Sequence, residues 1–418
     1  MRRSFLPEGF QRLIRRHPVL ILLVLSSSIF FTPRISDSHE PITTKVTFNR
    51  EIVRIFQRHC LSCHAGQSAG NVTLSSFATA RPWAKAFKEE VLEKRMPPFQ
   101  AVKGFGQFHN DYTLTQLEID QIVSWVEGGV PKGDDKDIPP SFNANNWVLG
   151  SPDLTFEATD GARSSETSQC FSFPTKLTKS QWLSGFDFHP GTSVHCASFA
   201  IVRAGGRQML DHSVDCDKVE ISAANTFGNW VPGQNVYRLN DSGRLITAGA
   251  NIVVRIHYAA DGPSNKPSSL GLYFGKRPTR SLQTIPISAA AQDVPAGQQD
   301  FRIESAYTVK EDTEAIAVRP LLFPYAKSID VTGYRPDGSV EVLVWAKDYR
   351  YDWQPEYEFK KPVPIPKGTR IQVIAYLDNS DKNPNNPHNP AQTIRFTAPL
   401  VELSFIDNSR VKRHGRRL

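Results

Sequence analysis

Hydrophobic and polar positions follow three different rhythms along this chain. Near the start, Pro18 to Phe31 reads PVLILLVLSSSIFF, without a charge, and follows a stretch carrying Arg2, Arg3, Arg12, Arg15 and Arg16. An Arg-rich flank ahead of a short apolar run predicts an export signal, since a spanning helix takes about 20 residues. Thr32-Pro33-Arg34 follow in place of a small-x-small cleavage site. Residues 1–38 are therefore expected to act as a cleaved signal peptide or as an uncleaved anchor in the cytoplasmic membrane, with the remainder sent outward. Between residues 45 and 130 the rhythm is helical. Asn49 is placed to cap a helix whose apolar positions Ile52, Val53, Ile55 and Phe56 form one stripe. Thr115-Gln116-Leu117-Glu118 is a capping box ahead of Ile119, Ile122, Val123 and Val126, and Gly128-Gly129 marks the stop.

From Trp147 to about Ile406 short alternating runs take over, among them Phe186-Asp187-Phe188, Ile252 to Tyr258, Val340 to Val344 and Arg370 to Tyr376, separated by Pro-Gly, Asp-Gly and Asn-Pro turns. This is the signature of β-sandwiches. A weak repeat, Trp230-Val231-Pro232 and then Trp353-Gln354-Pro355 about 120 residues on, predicts two in tandem, at 147–291 and 292–406. Residues 131–146, rich in Pro, Asp and Asn, read as a linker, and 407–418 as a basic tail.

Composition narrows the class. The 418 residues are 39% hydrophobic and 22% charged, with 30 prolines against 26 glycines, which excludes collagen-like, coiled-coil and wholly disordered chains. The formal charge of +7 sits in the two ends, so the body between them is nearly neutral and offers no basic groove for nucleic acid.

One motif carries specific chemistry. Cys60-Leu61-Ser62-Cys63-His64 is the C-x-x-C-H arrangement of covalent haem c attachment. Two thiols one helical turn apart can add to the two vinyl groups on one porphyrin edge, and the adjacent His64 then takes the iron's proximal position. A thioredoxin-like dithiol would need a βαβ setting and a zinc site a second Cys/His pair, and neither pattern is present. Of three methionines, only Met96 falls in the helical segment, in Arg95-Met96-Pro97-Pro98, where the prolines stiffen a loop that would present sulfur to iron. His59 and His109 are the substitute ligands. Residues 45–130 thus resemble a class I-like mono-haem cytochrome c, a small all-α domain.

The order of Val194-His195, Arg255-Ile256-His257-Tyr258, Pro295-Ala296-Gly297, Arg335-Pro336-Asp337-Gly338, Trp353-Gln354 and Pro366-Lys367-Gly368-Thr369 behind that motif resembles the copper type II, ascorbate-dependent monooxygenases, such as peptidylglycine hydroxylating monooxygenase. The resemblance covers roughly residues 45–405 and implies two jelly rolls with one copper each across a cleft. The expected fold class is accordingly multidomain: a small all-α cytochrome c domain followed by two all-β jelly-roll sandwiches. The first copper's ligands would fall at His195, Cys196 and His257, with Cys196 where the family has histidine. The second copper's His-x-His falls on Pro320-Leu321-Leu322-Phe323. After residue 292 there is no Met, and the only histidines are His388 and His414, so no two-His, one-Met site can be assembled there. Three cysteines remain beside the haem pair, and three pairings are open; the ligand position implied for Cys196 favours a Cys170–Cys216 disulfide.

The expected function is that of an exported haem c electron-transfer protein with a redox partner protein, whose monooxygenase-like β module has lost its oxygen-activating copper. The alternatives are an active copper monooxygenase fed by its own haem, and a non-redox partner-binding β module with haem as staple or sensor.

Overall fold

The computed structural model describes residues 44–407 apart from 66–71, 141–146, 160–167, 192–193, 204–211, 217–218, 220, 224, 235–236, 239–241, 259–265, 279, 322–323 and 350–352. The signal or anchor at 1–38 and nearly all of the basic tail lie outside the described residues. Among the described residues no helix is long and apolar enough to cross a membrane.

The first helical stripe does what its spacing requires. Ile52, Val53, Ile55 and Phe56 are buried with Ile122, Trp125 and Val126 of helix Gln116–Glu127, and Phe48 packs against both Phe56 and Trp125. Asn49 does not cap this helix. The chain enters through a wide turn, Phe48–Ile52, ahead of helix Val53–His59, and the buried Asn49 amide instead donates to Gly133 O, Asp134 O and Asp135 Oδ1. Residues 131–135 are thereby sewn to the start of the helical segment. The Thr115–Glu118 capping box forms as the sequence indicates.

The β portion is organised around one sheet of nine strands. Its path runs Leu154–Ala158, Ser268–Gly275, Gln181–His189, Ser242–Ile246, Arg280–Ser288, Pro399–Asp407, Thr313–Pro320 and Tyr357–Ile365, with Tyr237–Arg238 beside Gln181–His189. A five-stranded sheet that includes Ser168–Pro174, Asn251–Tyr258 and Val194–Val202 covers one end. Phe199 and Ile252 from it share a core with Phe186 and Leu270 of the long sheet. A four-stranded sheet, Gln298–Thr308, Arg370–Asn379, Ala326–Tyr334 and Val340–Lys347, covers the other end, where Ile329 and Val373 meet Val318 and Leu403.

The expected fold class is corrected on two counts. First, no separate small all-α domain closes off. The helices are short, and between Met96 and helix Gln116–Glu127 the chain forms an extended arm on the β core: Ala101 bridges Ala346, Phe108 bridges Phe359, and Val102 N–H donates to Trp345 O at 2.7 Å. Ala101 and Phe108 are buried there, with Phe99 packed against them. The physical reason is aromatic burial: these rings find a large apolar surface on the β core, and every buried CH₂ contributes about 0.8 kcal/mol. Second, the β portion is not two separate jelly rolls. Arg280–Ser288 pairs parallel with Ser242–Gly243 of the first half and antiparallel with Pro399–Asp407 of the second, so one hydrogen-bonded layer serves both cores. The repeated tryptophan motifs also meet, since the Trp353 indole N–H donates to Pro232 O at 2.9 Å.

Candidate functional site

Helix Val53–His59 ends at Cys60, which leaves αR geometry at φ −121°, and Leu61–His64 adds one further turn closed by His64 N–H to Cys60 O at 2.8 Å. This turn places Cys60, Cys63 and His64 together. Cys60 is buried and packed with Leu61, Cys63 is half-buried, and both are free thiols. Burial pushes the Cys60 thiol up, helped by the neighbouring Cys63, and pushes Cys63 up to about 11 against a lowering hydrogen bond with Ser62. Thiols held neutral are poor dithiol redox nucleophiles, which act as thiolates.

His64 has a defined polarity. Its Nδ1 lies 3.0 Å from Val72 O, and a carbonyl only accepts, so Nδ1 carries the proton and Nε2 presents its lone pair. Metal-bound histidines are held in this tautomer by such a partner. Cys63 Sγ rests against Gly233, where an added Cβ would come within 3.1 Å of the sulfur; φ of 89° requires glycine there as well.

Met96 lies on the wall of a cleft of about 910 Å³, with Phe99, Phe108 and Phe359. Cys60, Cys63 and His64 do not line it. Val91, Leu114 and Ile119, which do, pack in the same core as Cys60 and Leu61. Lys94, Lys103, Lys360 and Lys361 ring the cleft against Asp111 and Glu341, a surplus of positive charge that suits two propionates. Two thiols and an imidazole in the ligating tautomer on one turn are the donor set that a c-type haem takes, while the cation-rimmed cleft, of mixed polarity, is lined by other residues of the same core. Of the substitute ligands, His59 has both ring nitrogens engaged by protein oxygens, Tyr112 O and Glu118 Oε1, each at 3.1 Å. His109 is exposed and ties its backbone N–H to Glu358 O.

Glu118 was legible as a capping residue; its second role was not. Burial alone would raise its carboxyl, but the Thr115 N–H and hydroxyl, with His59 and Arg58 beside it, hold it below the ordinary value. It thereby joins the two helices that flank the C-x-x-C-H turn.

The possible copper ligands sit on the five-stranded sheet. A bulge falls between Val194 and Cys196, which is what adjacent residues need to share a face, and Cys196 stands directly across from His257. Burial, Arg255 and then His195 lower the His257 imidazole, while burial pushes Cys196 up to about 11 against the lowering field of Arg319. Even so, among the described residues no three His, Cys, Asp or Glu side chains converge as a metal-holding group, these three included. Of the stretch standing where the second copper's imidazoles would be, Leu321 donates its N–H to Leu400 O, and Leu322 and Phe323 lie outside the described residues. Cys170 is joined to Cys216.

No family model matches the chain, and no curated protein matches it. Among solved structures it is similar to a subviral particle protein of infectious bursal disease virus, at 10% identity over 62% of this chain and 71% of that chain, with a TM-score of 0.20. It is also similar to allantoicase from Saccharomyces cerevisiae, at 10% identity over 59% of this chain and 80% of that chain, with a TM-score of 0.19. Likeness at this level carries no argument about function.

Proposed function

We propose that the chain is an exported haem c electron-transfer protein, attached to its porphyrin through Cys60 and Cys63 and ligated through His64 and Met96, with a redox partner protein and without oxygen-activating copper chemistry in its β portion. The observation that carries this reading is the His64 ring, held by Val72 O with Nε2 as its acceptor nitrogen, on the same turn as two free thiols. When bound, the haem supplies one-electron chemistry at its iron. The chain's part is to fix the attachment turn against Trp125 and Ile122, to orient His64, and to exclude water with Val91, Leu114 and Ile119. The Cys170–Cys216 disulfide supports an oxidising compartment, and the Arg-rich apolar start supports delivery there with or without retention in the membrane.

The test is iron and copper content of the intact exported protein, with haem retention under denaturing conditions. One covalently bound iron porphyrin per chain is expected, lost in Cys60→Ser with Cys63→Ser. Colourless protein, or two coppers per chain with oxygen consumption, overturns the reading.

A further inference from the structure

The cleft that holds Met96 on one wall has a β side, made by the arm and by strand Tyr357–Ile365. The arm is pinned at both ends of this side. Val102 N–H donates to Trp345 O at 2.7 Å, and Lys360 N–H donates to Gln107 O at 2.8 Å. The loop between is held as well: the Phe105 ring meets Trp345 edge-on with centroids 5.1 Å apart, and a Cβ added to Gly106, at φ 82°, would come within 2.8 Å of Leu343 O. Strand Tyr357–Ile365 bulges here. Val363 pairs with Ala315 and Glu358 with Ala317, so Phe359 to Pro362 leave the ladder with Thr313–Pro320. A regular strand would send Lys360 and Lys361 to opposite faces; the bulge lets both line the cleft, together with Lys103 of the arm. These three exposed lysines share the β side with buried Phe108 and Phe359 and with half-buried Val363. The carboxylates of the cleft are engaged elsewhere. Glu341 is paired with Arg335 at 2.8 Å, and Asp111 accepts from the Thr113 N–H at 3.0 Å and from its hydroxyl at 2.6 Å. Among the described residues no ion pair joins Lys103, Lys360 or Lys361 to an acid.

We propose that the β side of this cleft binds a free amphipathic carboxylate of the fatty-acid class, with its head among Lys103, Lys360 and Lys361 and its hydrocarbon against Phe108, Phe359 and Val363. The inference does not rest on the haem reading: none of Cys60, Cys63 and His64 lines the cleft, and Met96 and Lys94 belong to its helical side. Gathered like charges without acidic partners gain from an incoming anion, and buried rings open to a cleft gain from apolar contact. A bare inorganic anion would leave the rings wet, and a neutral hydrocarbon would leave the lysines repelling one another; an amphiphile answers both. The pinned walls are formed before the ligand arrives, so little ordering opposes its binding.

The experiment is a calorimetric titration of the full exported chain with dodecanoate, kept below its micellar concentration, at low and at raised ionic strength. Saturable binding at a single site is expected, weakening as salt screens the lysines. Hexanoate, which lacks the hydrocarbon, and dodecanol, which lacks the charge, should each bind about tenfold more weakly or worse. Lys103→Gln with Lys361→Gln should weaken dodecanoate by about tenfold or more and leave dodecanol binding and the thermal midpoint as they are. A variant that keeps the parent's affinity for dodecanoate, or a parent that binds dodecanol equally well, overturns the inference. Vesicles of phosphatidylglycerol form a second arm: binding to them with none to dodecanoate assigns the lysines to a membrane surface and overturns it too. The two readings fail separately. Protein without covalent haem that still binds dodecanoate loses the haem reading and keeps this one. A haem-loaded parent that ignores dodecanoate, beside a Cys60→Ser, Cys63→Ser form that binds it, gives the cleft to the porphyrin and ends this inference alone.

Discussion

At the scale of single residues, two side chains give distinct expectations. Met96→Ala should lower the midpoint potential and abolish the sulfur-to-iron charge-transfer band, because a thioether favours reduced iron; a spectrum and potential like those of the parent would exclude Met96 as a ligand. Glu118→Gln should cost about 1–2 kcal/mol in urea unfolding, since it weakens a capping box and removes the charge shared with His59 and Arg58. Its titration has a definite sign. The carboxyl is held below its unfolded value, so its stabilisation is complete above the ordinary glutamate range near about 4.3 and is lost as pH falls through the depressed folded value. A wild-type minus Glu118→Gln stability difference that grows toward acid would contradict this assignment. The capping role could be read in advance because it depends on residues three apart; the bond to His59 spans 59 positions and leaves no local pattern.

At the scale of elements, short-range pattern again marks what was legible. The strands over Phe186–Phe188 and Ile252–Tyr258 appear where alternation puts them, within Gln181–His189 and Asn251–Tyr258. The 99–110 arm was unreadable, because its partners, Ala346 and Phe359, lie some 250 positions away. The disulfide ties strand Ser168–Pro174 to Cys216 across a separation of 46 residues, for which the chain-entropy account gives about 4 kcal/mol. Cys170→Ala with Cys216→Ala is expected to lose about 2–4 kcal/mol in denaturant unfolding. A double variant as stable as the parent would mean that the crosslink does not constrain the unfolded chain.

At the scale of the whole molecule, the long sheet decides how the β portion folds. Arg280–Ser288 lies in the first half by sequence and finds its main partner in Pro399–Asp407. Residues 147–291 expressed alone therefore leave that strand without its main partner, and amide exchange should show it unprotected beyond its short pairing with Ser242–Gly243, with a broadened unfolding transition. A fragment with full protection there would mean that the halves fold independently.

What this sequence determined by itself is the chemistry that adjacent residues carry: the C-x-x-C-H turn, a capping box, the period of each segment, and the lack of any two-His, one-Met set after residue 292. Each depends on spacing along the chain, which is covalent and present before folding. Tertiary structure alone decided that the helical segment lends an arm to the β core, that one sheet runs through both halves, and that Glu356 is enclosed beside Ser404. These outcomes depend on which distant surfaces exclude water from one another, and a local pattern shows that a residue seeks burial without saying against what.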